Sequence, residues 1–261
     1  MSGAGESVVF DRAAGYYDAT RGFPLGVEGR VAELFARAGG LGPASRVLEI
    51  GVGTGRIALP LAQRVSAYYG ADLSVPMLEK LVAKRGALPI RLVRADAPHL
   101  PFAAASFEAV VAVHVFHLIA GWREALAHAA RVLRPGGLLL HGADDHSRGG
   151  VWRRWRDRFA ETTGVRNVGV PAESFETFPE EEGWRPAGVH RLDFSRRVRP
   201  RDLLDLVAAR SWSSTWRLSD EELAAAVEAL RRDLLVEFSD LHRHVEIEAG
   251  FWVRAYRPPA A

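Results

Sequence analysis

Along the first 145 residues, short apolar runs bounded by glycine or acidic residues alternate with longer stretches whose apolar positions recur every three or four residues. The runs at 47–50, 68–72, 90–97, 107–115 and 138–141 read as five strands, apolar enough to be covered on both faces of a sheet. The stretches at 29–38, 57–62, 76–84 and 122–133 read as helices, with Ser74 as an N-cap two residues before a proline in the first turn. Strands that alternate with helices require a mostly parallel sheet with right-handed crossovers. Beyond residue 145 the pattern predicts helices at 151–163, 172–182, 200–211 and 219–241, and strands at 187–194 and 245–256. There is no internal repeat. The Gly/Ala-rich N-terminus and the Pro-Pro-Ala-Ala tail are expected to fray.

The junction between the first strand and the following helix carries the chemistry. The stretch Arg46-Val-Leu-Glu-Ile-Gly-Val-Gly-Thr-Gly-Arg56 places Gly51, Gly53 and Gly55 where a buried strand turns sharply into a helix. Glycines there let a ligand approach the backbone and tolerate positive φ. The dinucleotide fingerprint G-x-G-x-x-G would need its third glycine at position 56, which is arginine, so the spacing argues against NAD. The second strand ends in Asp72, which could accept bonds from both hydroxyls of a ribose. The third ends in Asp96-Ala97.

With Glu49 before the loop, the run resembles the class I S-adenosylmethionine-dependent methyltransferases. Its downstream match includes Asp72, Asp96, the strand 107–115 and the turn Leu133-Arg-Pro-Gly-Gly-Leu138. The resemblance is closest to the small-molecule branch of ubiquinone and menaquinone C-methyltransferases, and covers about the first 145 residues well. It implies a Rossmann-like α/β fold: a doubly wound seven-stranded sheet, mostly parallel with an antiparallel last strand, plus helical lid insertions. It implies one methyltransferase domain over 1–261, with cofactor-covering helices in 1–40, a cofactor core in 41–145 and the remaining strands and lid in 146–261. The implied cofactor is S-adenosyl-L-methionine, with S-adenosyl-L-homocysteine as product. Glu49, Gly51, Gly53 and Gly55 would hold its methionine half, Asp72 its ribose and Asp96 its adenine, with Leu73, Met77 and Ala97 also among the cofactor-binding residues. Tyr17 and Arg21, in Tyr17-Asp18-Ala-Thr-Arg21, would fold over it, with Arg21 paired to its carboxylate. An alternative makes Tyr16 and Tyr17 packing aromatics and Arg21 a solvated charge.

Composition narrows the field. The 261 residues are 48% hydrophobic, enough for one large α/β domain with insertions, and contain no cysteine, which excludes disulfides and thiolate metal sites. No apolar run could span a bilayer and no signal segment opens the chain, so a cytoplasmic protein without a membrane span is expected, as monomer or homodimer. A net charge of +2 gives no global sign of a nucleic-acid partner. Two arginine groups, Arg153, Arg154, Arg156 and Arg158 beside Trp152 and Trp155, and Arg196, Arg197, Arg199 and Arg201, read as solvated faces, arginine being the chain's default cation.

The expected reaction is in-line transfer of a methyl group to an O, N or C atom of a small-molecule acceptor. Base candidates follow from where the strands end: His114 and His117 after the fourth, His141, Asp144, Asp145 and His146 after the fifth. His114 is the preferred catalytic residue, with a possible cofactor contact, and His117 the second; both could equally be packing or capping residues. No metal site is expected, because His114-x-x-His117 lacks the helical spacing and glutamate of the zinc-peptidase motif. A nucleic-acid or protein methyltransferase, and a non-catalytic S-adenosylmethionine-binding protein, remain as alternatives. Trp152, Trp155, Trp212 and Trp216 fall in the expected lid.

Overall fold

The computed structural model describes residues 6–145, 157, 161, 163–164, 168–171 and 173–260. One seven-stranded sheet runs in the order β3-β2-β1-β4-β5-β7-β6. Its strands are β1 (Arg46–Ile50), β2 (Ala67–Asp72), β3 (Ile90–Arg94), β4 (Phe107–Val113), β5 (Leu133–Asp144), β6 (Arg185–Val198) and β7 (Val245–Arg257). β1 pairs in parallel with β2 and β4, β2 with β3, and β4 with β5, whereas β7 is inserted antiparallel. The expected α/β class and antiparallel last strand are both present. β1 is the switch point: the chain leaves it for β2 on one side and returns to β4 on the other, opening a crevice beyond the strands' carboxyl ends.

The helices follow the apolar periodicity. The short α1 (Tyr17–Arg21) precedes α2 (Val27–Gly39), which buries Val27, Val31, Leu34, Phe35 and Ala38 and stops at Gly40 in the left-handed region. α3 (Ala58–Leu61) follows the glycine bend, and α4 (Val75–Arg85) is capped by Ser74, whose Oγ accepts from the Met77 amide at 3.3 Å. α5 (Trp122–Val132) lays Trp122, Ala125, Leu126, Ala129 and Val132 on the sheet. The helix expected at 172–182 is a correction: only α6 (Phe178–Glu181) is helical, after turns at 173–177, and Ala172 lies outside the described residues. Pro179 has no amide to continue an earlier helix, so a helix can only start there. The helix expected at 151–163 falls largely outside the described residues, together with Trp152, Trp155, the first arginine group and His146.

Two compact units divide the chain, 1–143 with 167–192 and 251–261 in the first, 144–166 with 193–250 in the second. In the second, α7 (Pro200–Ala208) and α8 (Asp220–Glu237) pack Leu203, Leu204 and Val207 against Leu223, Ala226, Leu230 and Leu234. The start of α8 is fixed by a reciprocal cap. The Glu222 amide donates to Ser219 Oγ at 3.2 Å, and the Ser219 amide to Glu222 Oε2 at 2.7 Å. Among the described residues no helix is long and apolar enough to cross a membrane.

The first unit buries two titratable groups of opposite sense. His141 on β5 is fully buried among the rings of Phe116, Phe175, Phe178 and Trp252, all edge-on at 5.0–6.1 Å. Among the described residues neither ring nitrogen has a hydrogen-bond partner, and burial, reinforced by the charges of His114, Arg254 and His117, lowers its pKa to about 3. Glu49 on β1 is buried against Tyr68, whose hydroxyl donates to Oε2 at 2.8 Å. Burial, opposed by that bond and aided by Asp72, raises its pKa to about 8.

Each group couples stability to pH with its own sign. The unfolded chain protonates His141 below its ordinary value of 6.5 while the fold resists until about 3, so stability falls with falling pH across that window. The folded chain keeps a proton on Glu49 that the unfolded chain releases above 4.5, so its contribution is full below 4.5 and lost as pH rises toward about 8. In thermal unfolding followed by circular dichroism, His141→Phe should lessen the loss of stability between pH 7 and pH 5 by up to about 1.4 kcal/mol per pH unit. An equal loss in variant and wild type would place a charged or solvated imidazole in the fold. Glu49→Gln should remove a decline between pH 5 and pH 8, and an unchanged slope would show Glu49 ionised.

Candidate active site

Residues 51–55 turn the chain from β1 into α3 by three positive-φ glycines, at +68° for Gly51, +52° for Gly53 and +90° for Gly55. Their surroundings separate their roles. A Cβ on Gly51 would lie 2.4 Å from Val115 Cγ2, and one on Gly55 2.4 Å from Leu81 Cδ1, so both are bare because the fold packs against them. A Cβ on Gly53 would meet nothing within 4 Å; here the bare main chain faces open space. The amides of Gly51 and Val52 donate to the Ala71 carbonyl at 2.8 and 3.2 Å, which ties the bend to the end of β2.

Asp72, the last residue of β2, locks that arrangement. Its Oδ2 accepts from the Gly53 amide at 2.8 Å and its Oδ1 from the Ser74 amide at 2.9 Å. Burial raises its pKa, against the opposing pull of those amide bonds. A carboxylate offers about four acceptor positions, more than the backbone amides take up. Leu73 is half-buried and its carbonyl accepts from Arg94 Nε at 3.3 Å, while Met77 is fully buried at the start of α4. Beyond β3, Asp96 Oδ1 is buried without a hydrogen-bond partner among the described residues, beside the buried Ala97. An unpaired buried carboxylate oxygen is costly, and an amino group donating to it removes the cost.

Glu49 stands behind the bend, buried and bonded to Tyr68. The sequence reading assigned Tyr68 only to a strand. Gly70 lies opposite Glu49 and Tyr68 stands two residues before it on the same face, paired with Val47, a proximity that only the strand register reveals.

The N-terminal segment meets the bend. Asp18 on α1 accepts from Thr54 Oγ1 at 2.5 Å and from Lys84 Nζ at 2.7 Å. Tyr17 and Arg21 line, with Phe23, Gly55 and Arg56, a cleft of about 480 Å³ beside it. The Arg56 guanidinium sits 3.8 Å over the Phe23 ring. The tie from Asp18 to Thr54 and Lys84 has no signature in spacing, because it spans 36 and 66 residues.

The histidines gather beyond β4 and β5. His114, directly after β4, holds φ of +49°, a conformation that costs a β-carbon residue of order 1–2 kcal/mol. His117 lies in the 3-10 turn Phe116–Leu118, edge-on to Phe175 at 5.6 Å, and its carbonyl accepts from the Gly169 amide at 3.0 Å. Burial, with the charges of His114 and Arg21, lowers its pKa to about 3. Its imidazole is therefore neutral at pH 7 and a weak base, suited to orienting a partner by hydrogen bonding. Among the described residues, no group of three or more His, Cys, Asp or Glu side chains is placed to hold a metal.

Residues 48–141 match the family model described as a methyltransferase domain. A demethylmenaquinone methyltransferase of Renibacterium salmoninarum is 34% identical over 207 residues, covering 72% of this chain and 86% of that protein. A solved structure of a type II methyltransferase from Anaeromyxobacter dehalogenans aligns with a TM-score of 0.66 at 19% identity, over 88% of this chain and 97% of that one. Phosphoethanolamine N-methyltransferase 2 of Haemonchus contortus, solved with phosphomonomethylethanolamine and S-adenosylhomocysteine, aligns at 0.55 and 19% identity, over 96% of this chain and 58% of that one. The two structural likenesses establish the fold, and the closer sequence relative establishes the kinship. The chain is an enzyme belonging to the class I S-adenosylmethionine-dependent methyltransferases, in the branch that resembles the menaquinone methyltransferases.

Proposed function

We propose that this enzyme binds S-adenosylmethionine in the crevice at the carboxyl ends of β1, β2 and β3, and transfers its methyl group to an O, N or C atom of a small-molecule acceptor. The observation that carries the reading is the trio of bare main chain at Gly53, amide-locked carboxylate at Asp72 and unpartnered buried oxygen at Asp96. These fit, in that order, an amino-acid tail, a ribose diol and an exocyclic amine. Supporting it, the Haemonchus enzyme of the same fold was solved with S-adenosylhomocysteine, and the Renibacterium relative is named for a small-molecule acceptor.

The cofactor supplies a methyl group already activated on a sulfonium. What this chain contributes is alignment: Asp72 and Asp96 fix the nucleoside by two separate grips, and the rigid bend fixes the tail. Holding reacting atoms in a near-attack arrangement lowers the barrier by several kcal/mol without a covalent step. His114 and His117 stand on the side of β4 as the candidates for orienting the acceptor, and His114 as the candidate for taking a proton where the acceptor carries one. The arginines near β6 favour this reading over a nucleic-acid substrate, because Arg199 and Arg201 are committed to Asp202 and Asp205 on their own helix, at 2.7 and 2.9 Å.

Calorimetric titration should give micromolar binding of S-adenosylmethionine and none comparable of NADH; the reverse preference would overturn the assignment. Asp72→Ala should weaken the interaction about ten- to a hundredfold, as expected for hydrogen bonds to a charged group. Unchanged affinity would remove Asp72 from the site. Gly53→Ala should cost the fold only about 1–2 kcal/mol, for its positive φ, yet lower affinity sharply. If folded Gly53→Ala bound as tightly as wild type, the ligand would lie elsewhere.

A further inference from the structure

Near the start of the described chain, residues 7–22 are fastened at two places on the rim of the crevice. At its start, the Val8 amide donates to the Leu118 carbonyl at 2.9 Å and Ser7 Oγ accepts from the Ala120 amide at 3.3 Å, both partners lying just beyond β4. At its end, one carboxylate joins three elements. Asp18, on α1, accepts from Thr54 inside the glycine bend and from Lys84 near the end of α4. Between these fastenings the segment passes close enough to Asp72 for the Asp11 charge to raise that residue's pKa. The stretch thus runs from the end of β4, past Asp72 at the end of β2, to the bend that follows β1.

The strengths of the two Asp18 bonds differ in kind. Side chains of Lys84 and Asp18 are 33% and 52% exposed, and a pair so open to water contributes little by itself. Thr54 is fully buried, and its hydroxyl would be left without that acceptor if the strap lifted. A fastening made of one buried and one solvated bond is strong enough to hold the segment down and weak enough to break on the time scale of ligand exchange. Burial, which raises the Asp18 pKa, is outweighed by the bonds from Lys84 and Thr54, so the carboxylate is ionised and at its best as an acceptor at neutral pH.

We propose that Asp18 is the latch of a strap, residues 7–22, that must lift for the cofactor to enter and leave, and that its bonds to Thr54 and Lys84 set the rate of that exchange. This rests on the cofactor reading above. A latch closed in the free protein as well as the loaded one slows both directions, so its removal changes rates more than affinity.

The test is stopped-flow binding and displacement of S-adenosylhomocysteine, followed by tryptophan fluorescence, on wild type, Asp18→Asn, Thr54→Val, Thr54→Ser and Lys84→Met. Asp18→Asn and Thr54→Val should raise the association and dissociation rates together, each about three- to tenfold, the factor that one net hydrogen bond represents. The dissociation constant should move by less than about threefold. Thr54→Ser, which keeps the hydroxyl, should return both rates toward wild type, and Lys84→Met, which touches only the exposed pair, should give a smaller rise in a protein that folds normally. Trypsin should cut the ligand-free latch variants after Arg12 or Arg21 faster than wild type. Unchanged rates, or a faster dissociation with unaltered association, would overturn the latch, the second outcome making Asp18 a support of the bound state only. Wild type that binds no S-adenosylhomocysteine would instead overturn the cofactor reading.

Discussion

A buried strand has to turn into a helix within five residues and leave its main chain naked on one side, and the geometry of the site descends from that constraint. Three consecutive alternate positions with positive φ can be met without strain only by glycine. Two of them also sit where any side chain would strike Val115 or Leu81, so the bend is held from behind by the hydrophobic core. The third, Gly53, is held from in front by Asp72, which takes its amide proton. Packing from one side and a charge-assisted bond from the other leave the loop little freedom, and that rigidity is the preorganisation the proposed cofactor site calls for.

Rigidity has been obtained at the expense of several buried polar groups. Glu49 and Tyr68 satisfy one another inside the sheet, with Glu49 neutral because its charge would be desolvated beside Asp72. His141 is held neutral for the same reason among four aromatic rings. These groups pull stability in opposite directions with pH: between about 4.5 and 6.5 their slopes offset one another, and stability falls on either side of that window. Asp96 differs from both: its oxygen has no partner inside the described residues, which is the arrangement expected of a group reserved for a ligand.

Most of the sheet could be read from the chain because strand and helix periods are local properties. The glycine spacing, the acids at the end of β2 and just beyond β3 and the Ser74 cap all follow from residues within one turn or one strand of each other, and they fall at the carboxyl ends of neighbouring parallel strands. The short α6 departed from expectation because apolar spacing over 172–182 does not register a missing amide at Pro179. Ties across the chain left no local trace. The partnership of Glu49 with Tyr68 crosses from one strand to the next, and that of Asp18 with Thr54 and Lys84 exists only after the N-terminal segment has been laid over the bend. The left-handed conformation of His114 left only a weak trace, since histidine is enriched at positive φ without being diagnostic of it.

The histidines constrain the chemistry further than their positions do. An imidazole whose conjugate acid has a pKa of about 3, as at His117 and His141, holds a proton poorly against water, so neither is suited to draining one from an acceptor at neutral pH. His117 can still orient an acceptor through whichever nitrogen faces it. His114 is set apart by backbone strain, of a kind that persists only where the surroundings over-determine it, immediately after the strand beside β1. On the proposed reaction, a site arranged this way asks alignment to do most of the work, with proton removal left to His114 or to an acceptor that arrives already ionised.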